Sequence, residues 1–393
     1  MVACSENTPT PTLTTNYPTP PPDNGLLATV TASPNKLILG VTTPAHGADG
    51  WIAVGGASIA GEVFNRAGGV AYNGISYYLK FATHDDSAQP DGVAAAITEM
   101  VNAEDALGFV GPSAAEGISP NLRLLNGLAT PALLTLTSDT LLAKTQTNPF
   151  LFYLRPLDNY WAETVISYLS SSGTLKAGIK IGLASQQSDA GQSGANHLKT
   201  GLTAKANSVP LVEVKLPAFD VKFQKEHNQY TNQVHQLVAA APNVIINWSD
   251  QDEAIELLTE LHQKGWHGQF VTTALNERFA SELKGAAEGI VGPATWTADA
   301  TDPASQRFVQ LYQAYFHLTP DDHAAAVYDG INLLAAAYKQ VGPDKAKIRN
   351  WLAHLTNQNG LQGTYNTQSN GEMLKTVKMA QVKNGKVIGI GNP

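Results

Sequence analysis

The chain has 393 residues, 43% hydrophobic and only 15% charged, with a formal net charge of −8 and a pI near 5.7. That is room for two or three domains with sizeable cores, which excludes wholesale disorder. Six arginines in an acidic chain exclude a broadly basic nucleic-acid binder. No apolar run reaches the roughly 18 residues of a membrane span, and the single cysteine, Cys4, excludes an intrachain disulfide, cysteine-based zinc sites and CxxC redox chemistry.

In chain order, Val2-Ala3-Cys4-Ser5 comes first. Small residues before a lone cysteine resemble the end of a bacterial lipoprotein signal, whose cysteine becomes the lipidated first residue. The given chain would then start inside the cleavage motif. Residues 5–23 hold six prolines and six threonines in nineteen positions. Such a stretch cannot bury enough apolar surface to offset its ordering entropy. Residues 1–35 are therefore expected to be an extended tether, with roughly 3.1 Å per residue in its Pro-rich parts. A lipid on Cys4 would hold the folded body off a membrane.

The body alternates strand and helix. Leu37-Ile38-Leu39-Gly40-Val41 is a short apolar run without helical period, read as a buried strand, and a polar loop (42–50) follows. A helix is expected over 51–65, stopped by Gly68-Gly69, then a strand over 75–82 and a helix over 91–102. The strand 107–110 leads through Gly111-Pro112-Ser113 into a helix over 114–125, and the next strand spans 132–136. The pattern then restarts: 179–183 echoes 37–41, 243–247 echoes 107–110, and 270–273 echoes 132–135. The fold class is α/β, with two similar doubly wound parallel-sheet lobes. Ligands of such sheets bind beyond the carboxyl ends of the strands. This singles out loops 42–50, 111–116, 135–140, 184–194, 247–252 and 272–277.

Four stretches carry a resemblance. The first runs from Leu39-Gly40-Val41 through Gly55-Gly56-Ala57 to Phe64-Asn65-Arg66-Ala67-Gly68-Gly69. The second is His84-Asp85-Asp86-Ser87, an Ala-rich helix, then Gly108-Phe109-Val110-Gly111-Pro112. The third spans Asn148 to Pro156, and the fourth is Gly360-Leu361-Gln362-Gly363-Thr364-Tyr365 with Asn370-Gly371-Glu372. In this order and spacing they resemble the type I periplasmic solute-binding proteins of ABC importers, the branched-chain amino acid (Leu/Ile/Val) receptor family. The resemblance implies a ligand cleft between lobes joined by a three-strand hinge, with crossovers near 156, 294 and 363. Lobe one would hold 36–156 plus 295–363, and lobe two 157–294 plus 364–393. It also implies an extracytoplasmic receptor for a small polar solute, an amino acid or related carboxylate, handed to an ABC-transporter permease. A monomer is expected, touching the membrane only through its lipid.

Within the cleft, Ser113 closes a turn at a helix N-terminus, where free N–H groups favour an anion; a plain N-cap is the other reading. The family more often has serine two positions later, where this chain has Ala115. Thr137 and Ser138 fall where the family grips its ligand with hydroxyls, although Ser138 or Asp139 could instead cap a helix. The family's ammonium-binding acid aligns with Ala274, and its lobe-two aromatic with Ala190. These departures set an ordinary Leu/Ile/Val ligand in question. Asp250, Asp189 or Asp49 could replace the acid, because a carboxylate in a closing cleft needs a cation. Trp248, Tyr160 and Trp161 are candidates for an apolar wall. Arg155 and Asp158 read as a hinge ion pair.

Two other readings stay open. The fold could serve as a sensor reporting its ligand to a regulatory partner. Gly111-Pro112-Ser113-Ala114-Ala115 loosely matches the G-x-S-x-G nucleophile elbow, with Asp250 and His323 following in chain order. Its last glycine is alanine and the proline before serine is unusual, so serine hydrolysis is the lesser reading. There is no HExxH, no GxxxxGK[ST] and no GxGxxG after a strand. No metal, cofactor or catalytic residue is expected.

Overall fold

The computed structural model describes residues 33–391 apart from 45–47, 137–138, 140, 143–148, 206–208 and 221–225. Cys4, the tether through residue 32, Thr137, Ser138 and the Asp49 side chain lie outside the described residues. No helix among the described residues is long and apolar enough to cross a membrane.

Two sheets carry the structure. The first holds β1 (Lys36–Thr43), β2 (Val70–Tyr72), β3 (Ile75–Asp85), β4 (Phe109–Val110), β5 (Ala132–Leu134) and β6 (Leu151–Tyr153), in the order β2-β3-β1-β4-β5-β6. The second begins with β7 (Ile181–Gln186), β8 (Leu211–Leu216), β9 (Val244–Trp248), β10 (Gln269–Thr272) and β11 (Val291–Ala294). After a two-stranded ribbon of β12 (Gln358–Asn359) and β13 (Thr364–Tyr365), it is completed by β14 (Lys378–Lys383) and β15 (Lys386–Ile390). Its order is β15-β14-β11-β10-β9-β7-β8. Both sheets are parallel in the middle and antiparallel at one edge, where β2 pairs β3 and β14 pairs both β11 and β15.

Strand composition explains the layering. Leu133 and Phe152 face one core, while their neighbours Ala132, Leu134, Leu151 and Tyr153 face another on the opposite side of the sheet. In the second sheet Ile245 and Phe270 face one core, and Val244, Ile246 and Val271 the other. Strands buried on both faces read as continuous apolar runs, and helices must cover both sides. The expected helix over 114–125 is broken into Ala115–Ile118, a 3-10 turn Ser119–Asn121 and Leu122–Leu128. Pro120 in its middle cannot donate the backbone bond a continuous helix needs.

The chain passes between the lobes three times, and the first two passages meet the segment that leads to the third at one buried polar network. β6 ends in the first sheet, while Trp161, Ala162 and Val165 of the next helix, Asp158–Ser171, belong to the second lobe's core. The pair expected between Arg155 and Asp158 is not the one that forms. Arg155 instead donates from Nη2 and Nη1 to Asp322 (3.0 and 3.4 Å), while Asp158 accepts the backbone N–H of Asp139 at 3.2 Å. Asp322 opens the helix Asp322–Val341 and lies where it can meet Arg155; Asp158 faces the loop after β5. Burial alone would raise the Asp322 carboxyl, but Arg155, His323 and the Thr295 bonds hold it below the usual carboxylate range. Thr295, just past β11, donates N–H and Oγ1 to Asp322 (3.3 and 3.2 Å) and contacts Gln362 Oε1 at 2.6 Å. Gln362 and Tyr365 in turn bond Asp329 of the same helix.

The third crossover falls later than 363. Tyr365, Met373 and Leu374 are buried in the core of the first sheet, so the chain crosses between Leu374 and β14. The Tyr365 ring fills space beside Asp329 and Gly360, which ties 364–374 to the first lobe.

A buried guanidinium that loses its carboxylate stays unpaired in a medium that disfavours charge. Asp322→Ala is therefore expected to cost about 3 kcal/mol of stability by denaturant unfolding. Arg155→Ala and Asp322→Ala together should cost less than the sum of the two single changes; strict additivity would show that the pair is not coupled.

Candidate functional site

Between the lobes lies a cavity of about 340 Å³, and every loop that lines it follows the carboxyl end of a strand. From the first lobe come Thr43 after β1, Ser113 and Ala115 after β4, and Thr135 and Leu136 after β5. From the second come Gln186 and Ser188 after β7, Trp248 to Gln251 after β9, and Thr273, Ala274 and Asn276 after β10. Ala88 after β3 and Arg155 after β6 also line it, and because parallel strands direct their carboxyl ends to one edge of a sheet, two facing sheets focus these segments on one space.

Most expected residues meet there. Ser113, Ala115, Trp248, Asp250 and Ala274 all line the cavity, as does Ala190. Tyr160 does not: it lines a separate groove with Glu163 and Thr376, its ring 5.8 Å from the Lys375 ammonium. Successive helix positions point about 100° apart, and the cleft-facing one is Trp161. Its indole donates to the Pro156 carbonyl (3.0 Å) and its ring lies 5.1 Å from the Arg155 guanidinium carbon. Asp189 also misses the main cavity and lines the adjoining depression with Glu116, Gln186 and Lys215. Asp139 reaches across to the opposite lobe, where its Oδ2 lies 2.5 Å from His197 Nε2.

Trp248 is held by a small neighbour. A Cβ at Gly194 would stand 1.9 Å from the indole, so only glycine lets the ring lie flat on the helix Asp189–Lys205. Asp250 stands at the N-cap position of the helix Gln251–Gln263 without a side-chain cap bond, and its carboxylate accepts from Gln186 Nε2 at 2.9 Å. Burial between the lobes raises its carboxyl above the usual range, against the Gln186 bond. The same Gln186 amide reaches Glu253 Oε1 (3.3 Å), which also accepts the Phe219 N–H (2.9 Å). Burial, with the Asp250 charge adding to it, pushes Glu253 up to about 7.

Among the lining residues that escape the sequence reading as ligand candidates are Glu116, Arg155, Gln251 and His323. Glu116 follows Ala115 directly and looks like a solvated helix charge. Its carboxyl is raised by burial and by the Asp250 and Asp189 charges, and it accepts the Asp189 N–H from across the cleft. Burial and the Arg155 charge push His323 down to about 4, so it is neutral at pH 7. Ser113, His323 and Asp250 share the cavity, but among the described residues no hydrogen bond joins them. The Asp250 carboxylate is engaged by Gln186, and His323 Nδ1 lies 3.5 Å from Asp322. This is not the relay a serine nucleophile needs. Asp321, Asp322 and His323 cluster closely enough for a metal ion. Yet Asp322 is bound to Arg155, and Asp321 accepts the N–H groups of His323 and Ala324.

The chain belongs to the periplasmic binding protein family, whose model matches residues 37–386. No curated protein matches it by sequence. Among solved structures it is similar to a leucine-binding protein of Thermotoga maritima: 18% identity, 90% of this chain and 98% of that one covered, TM-score 0.78. A branched-chain amino acid transporter substrate-binding protein of Streptococcus pneumoniae in complex with isoleucine is 20% identical. It covers 90% of this chain and 98% of its own at TM-score 0.78. An ABC-transporter solute-binding protein of R. palustris in complex with benzoate is 17% identical (91% and 96% covered, TM-score 0.76). The family and these neighbours are binding proteins rather than enzymes, and the family is extracytoplasmic.

Two tests follow from the packing. Gly194→Ala should force the Trp248 indole off the helix. The expected results are a changed tryptophan emission spectrum and a loss of about 1–3 kcal/mol, the usual cost of overpacking. For Glu253, a raised folded-state pKa means that its contribution to stability is present below its ordinary value of 4.5 and is lost as pH rises through about 7. Glu253→Gln keeps both accepted bonds and cannot ionise. Relative to the parent, it should raise the melting temperature at pH 8 and change it little at pH 4.5; equal effects at both pH values would contradict the assignment.

Proposed function

We propose that the protein is the solute receptor of an ABC-type importer, capturing a small polar solute, an amino acid or related carboxylate, and presenting it to a membrane permease. The supporting observation is the cavity itself, built from strand-end segments of both lobes and backed by the crossovers. A solute there touches both lobes at once, so it stabilises the closed arrangement relative to an open one by its differential contacts. In this reading lobe one is 36–156 plus 295–374, and lobe two is 157–294 plus 375–391. Ser113, Thr135 and the N–H groups after β4 receive a carboxylate, Asp250 receives a cationic group and Trp248 supplies an apolar wall. Thr137 and Ser138 extend the hydroxyl side, on the strength of the resemblance. No covalent chemistry is involved, the protein is a monomer, and Cys4 carries a lipid that holds the body at the membrane.

Similar structures hold isoleucine in one case and benzoate in another. Those two ligands share a carboxylate and little else, which favours the carboxylate as the common element. A thermal-shift screen over amino acids and aliphatic and aromatic carboxylates tests the reading. A solute present at 100 times its Kd adds about 2.7 kcal/mol, an upward shift of several degrees. p-Nitrophenyl acetate hydrolysis lost on Ser113→Ala would contradict a purely binding role. Intact-mass analysis of membrane-extracted protein should show a lipid adduct on Cys4; an unmodified thiol would remove the anchor.

A further inference from the structure

Each lobe brings one acid to the cleft, and among the described residues neither acid forms an ion pair. Glu116 comes from the first lobe, on the short helix Ala115–Ile118, and Asp250 from the second, just after β9. Both line the cavity, and both keep solvent exposure. Glu116 feels the charge of Asp250 across the gap and that of Asp189 at the mouth; Asp250 feels that of Asp252. Among the described residues, the charges that act most on the two carboxyls are negative. Their hydrogen bonds among the described residues are with the neutral Gln186 amide and the Asp189 N–H. The two bases that line the same cavity do not offset them. Arg155 is matched by Asp322, and His323 is neutral.

The cavity as built is therefore net negative, and its acids stand on opposite moving parts. Closing the lobes over a neutral solute presses like charges together where water is being expelled, which disfavours closure. A cation between them reverses the sign of that contribution. Trp248, two residues before Asp250, adds an aromatic side chain to the same cavity wall. At the hinge side, Ser113, Thr135 and the Arg155 edge remain for a carboxylate.

We propose that the solute carries a cationic nitrogen beyond any α-ammonium, a side-chain ammonium or guanidinium, held between Glu116 of one lobe and Asp250 of the other, and that this charge is what licenses closure. The solute class is then a carboxylate with a separate cationic end, such as a basic amino acid, and not a zwitterion whose sole cation is its α-ammonium. The inference rests on the receptor reading above and names the chemistry of its ligand. It moves the cation site from the position of Ala274, where the resemblance would look, to an acid pair shared by the lobes.

The test is titration calorimetry on full-length protein freed of carried-over solute by unfolding and refolding. The probes are L-arginine, L-lysine, L-leucine and benzoate. L-Arginine or L-lysine should bind at least tenfold more tightly than L-leucine. Glu116→Gln and Asp250→Asn, each nearly isosteric, should each weaken that binding at least tenfold; circular dichroism and melting of both variants verify that they fold. Binding of L-leucine or benzoate with both basic amino acids silent would overturn the inference and leave the receptor reading standing. Undiminished binding of a basic amino acid by both folded variants would also overturn it. Silence of all four probes on refolded protein would count against this inference and the receptor reading together.

Discussion

The Arg155–Asp322 pair is the constraint on which the two-lobed form rests. Three chain segments pass between the lobes, and each touches the start of the helix Asp322–Val341 or its next turns. Arg155 touches it from the first passage, Thr295 from the second, and Gln362 with Tyr365 from the segment before the third. Desolvating these charges is costly, and an apolar substitute could be as stable. The polar network does what an apolar contact would not: it fixes which atoms meet, so the passages stay in register while the sheets on either side remain separate bodies. Asp329, pushed up to about 6 by burial against the bonds from Leu361, Gln362 and Tyr365, belongs to the same assembly.

This node also forms the back of the cleft. Arg155, Trp161 and His323 line the cavity and sit at the crossovers, so a solute's hinge-side contacts are with residues whose positions depend on the hinge. At the mouth the contacts are of another kind. Asp139 with His197, and Glu116 with the Asp189 N–H, join the lobes directly. The former is a partly exposed ion pair, of a type worth about 0–1 kcal/mol, enough to bias a closed arrangement without locking it. The division gives the molecule a firm pivot and a soft rim, which suits a receptor that must release what it captures.

Much of the fold was legible in the sequence because buried parallel strands are continuous apolar runs and their order sets the topology. The cavity was legible for the same reason: Ser113, Ala115, Trp248, Asp250 and Ala274 follow strand ends, and position alone brings them together. What failed was orientation and distance. Tyr160 and Trp161 are neighbours on one helix, and composition does not say which faces inward. Arg155 and Asp322 are 167 residues apart, and nothing local marks them as partners. Glu116 looked like a surface charge because what sets it apart, the Asp250 and Asp189 charges and the Asp189 N–H, comes from the opposite lobe. The edge hairpins, by contrast, carry a signal that the sequence reading left unused. Asn73-Gly74 and Asn384-Gly385 both take positive φ, the conformation of the two-residue turn that joins twisted strands.

The account centres on closure of two lobes about a solute. Small-angle X-ray scattering of refolded, solute-free protein, before and after saturation with its solute, tests this most directly. The account predicts that the radius of gyration falls on saturation and that the Asp322→Ala hinge variant, if folded, shows a less uniform closed form. Scattering curves that superimpose, with saturation shown by calorimetry on the same sample, would contradict it.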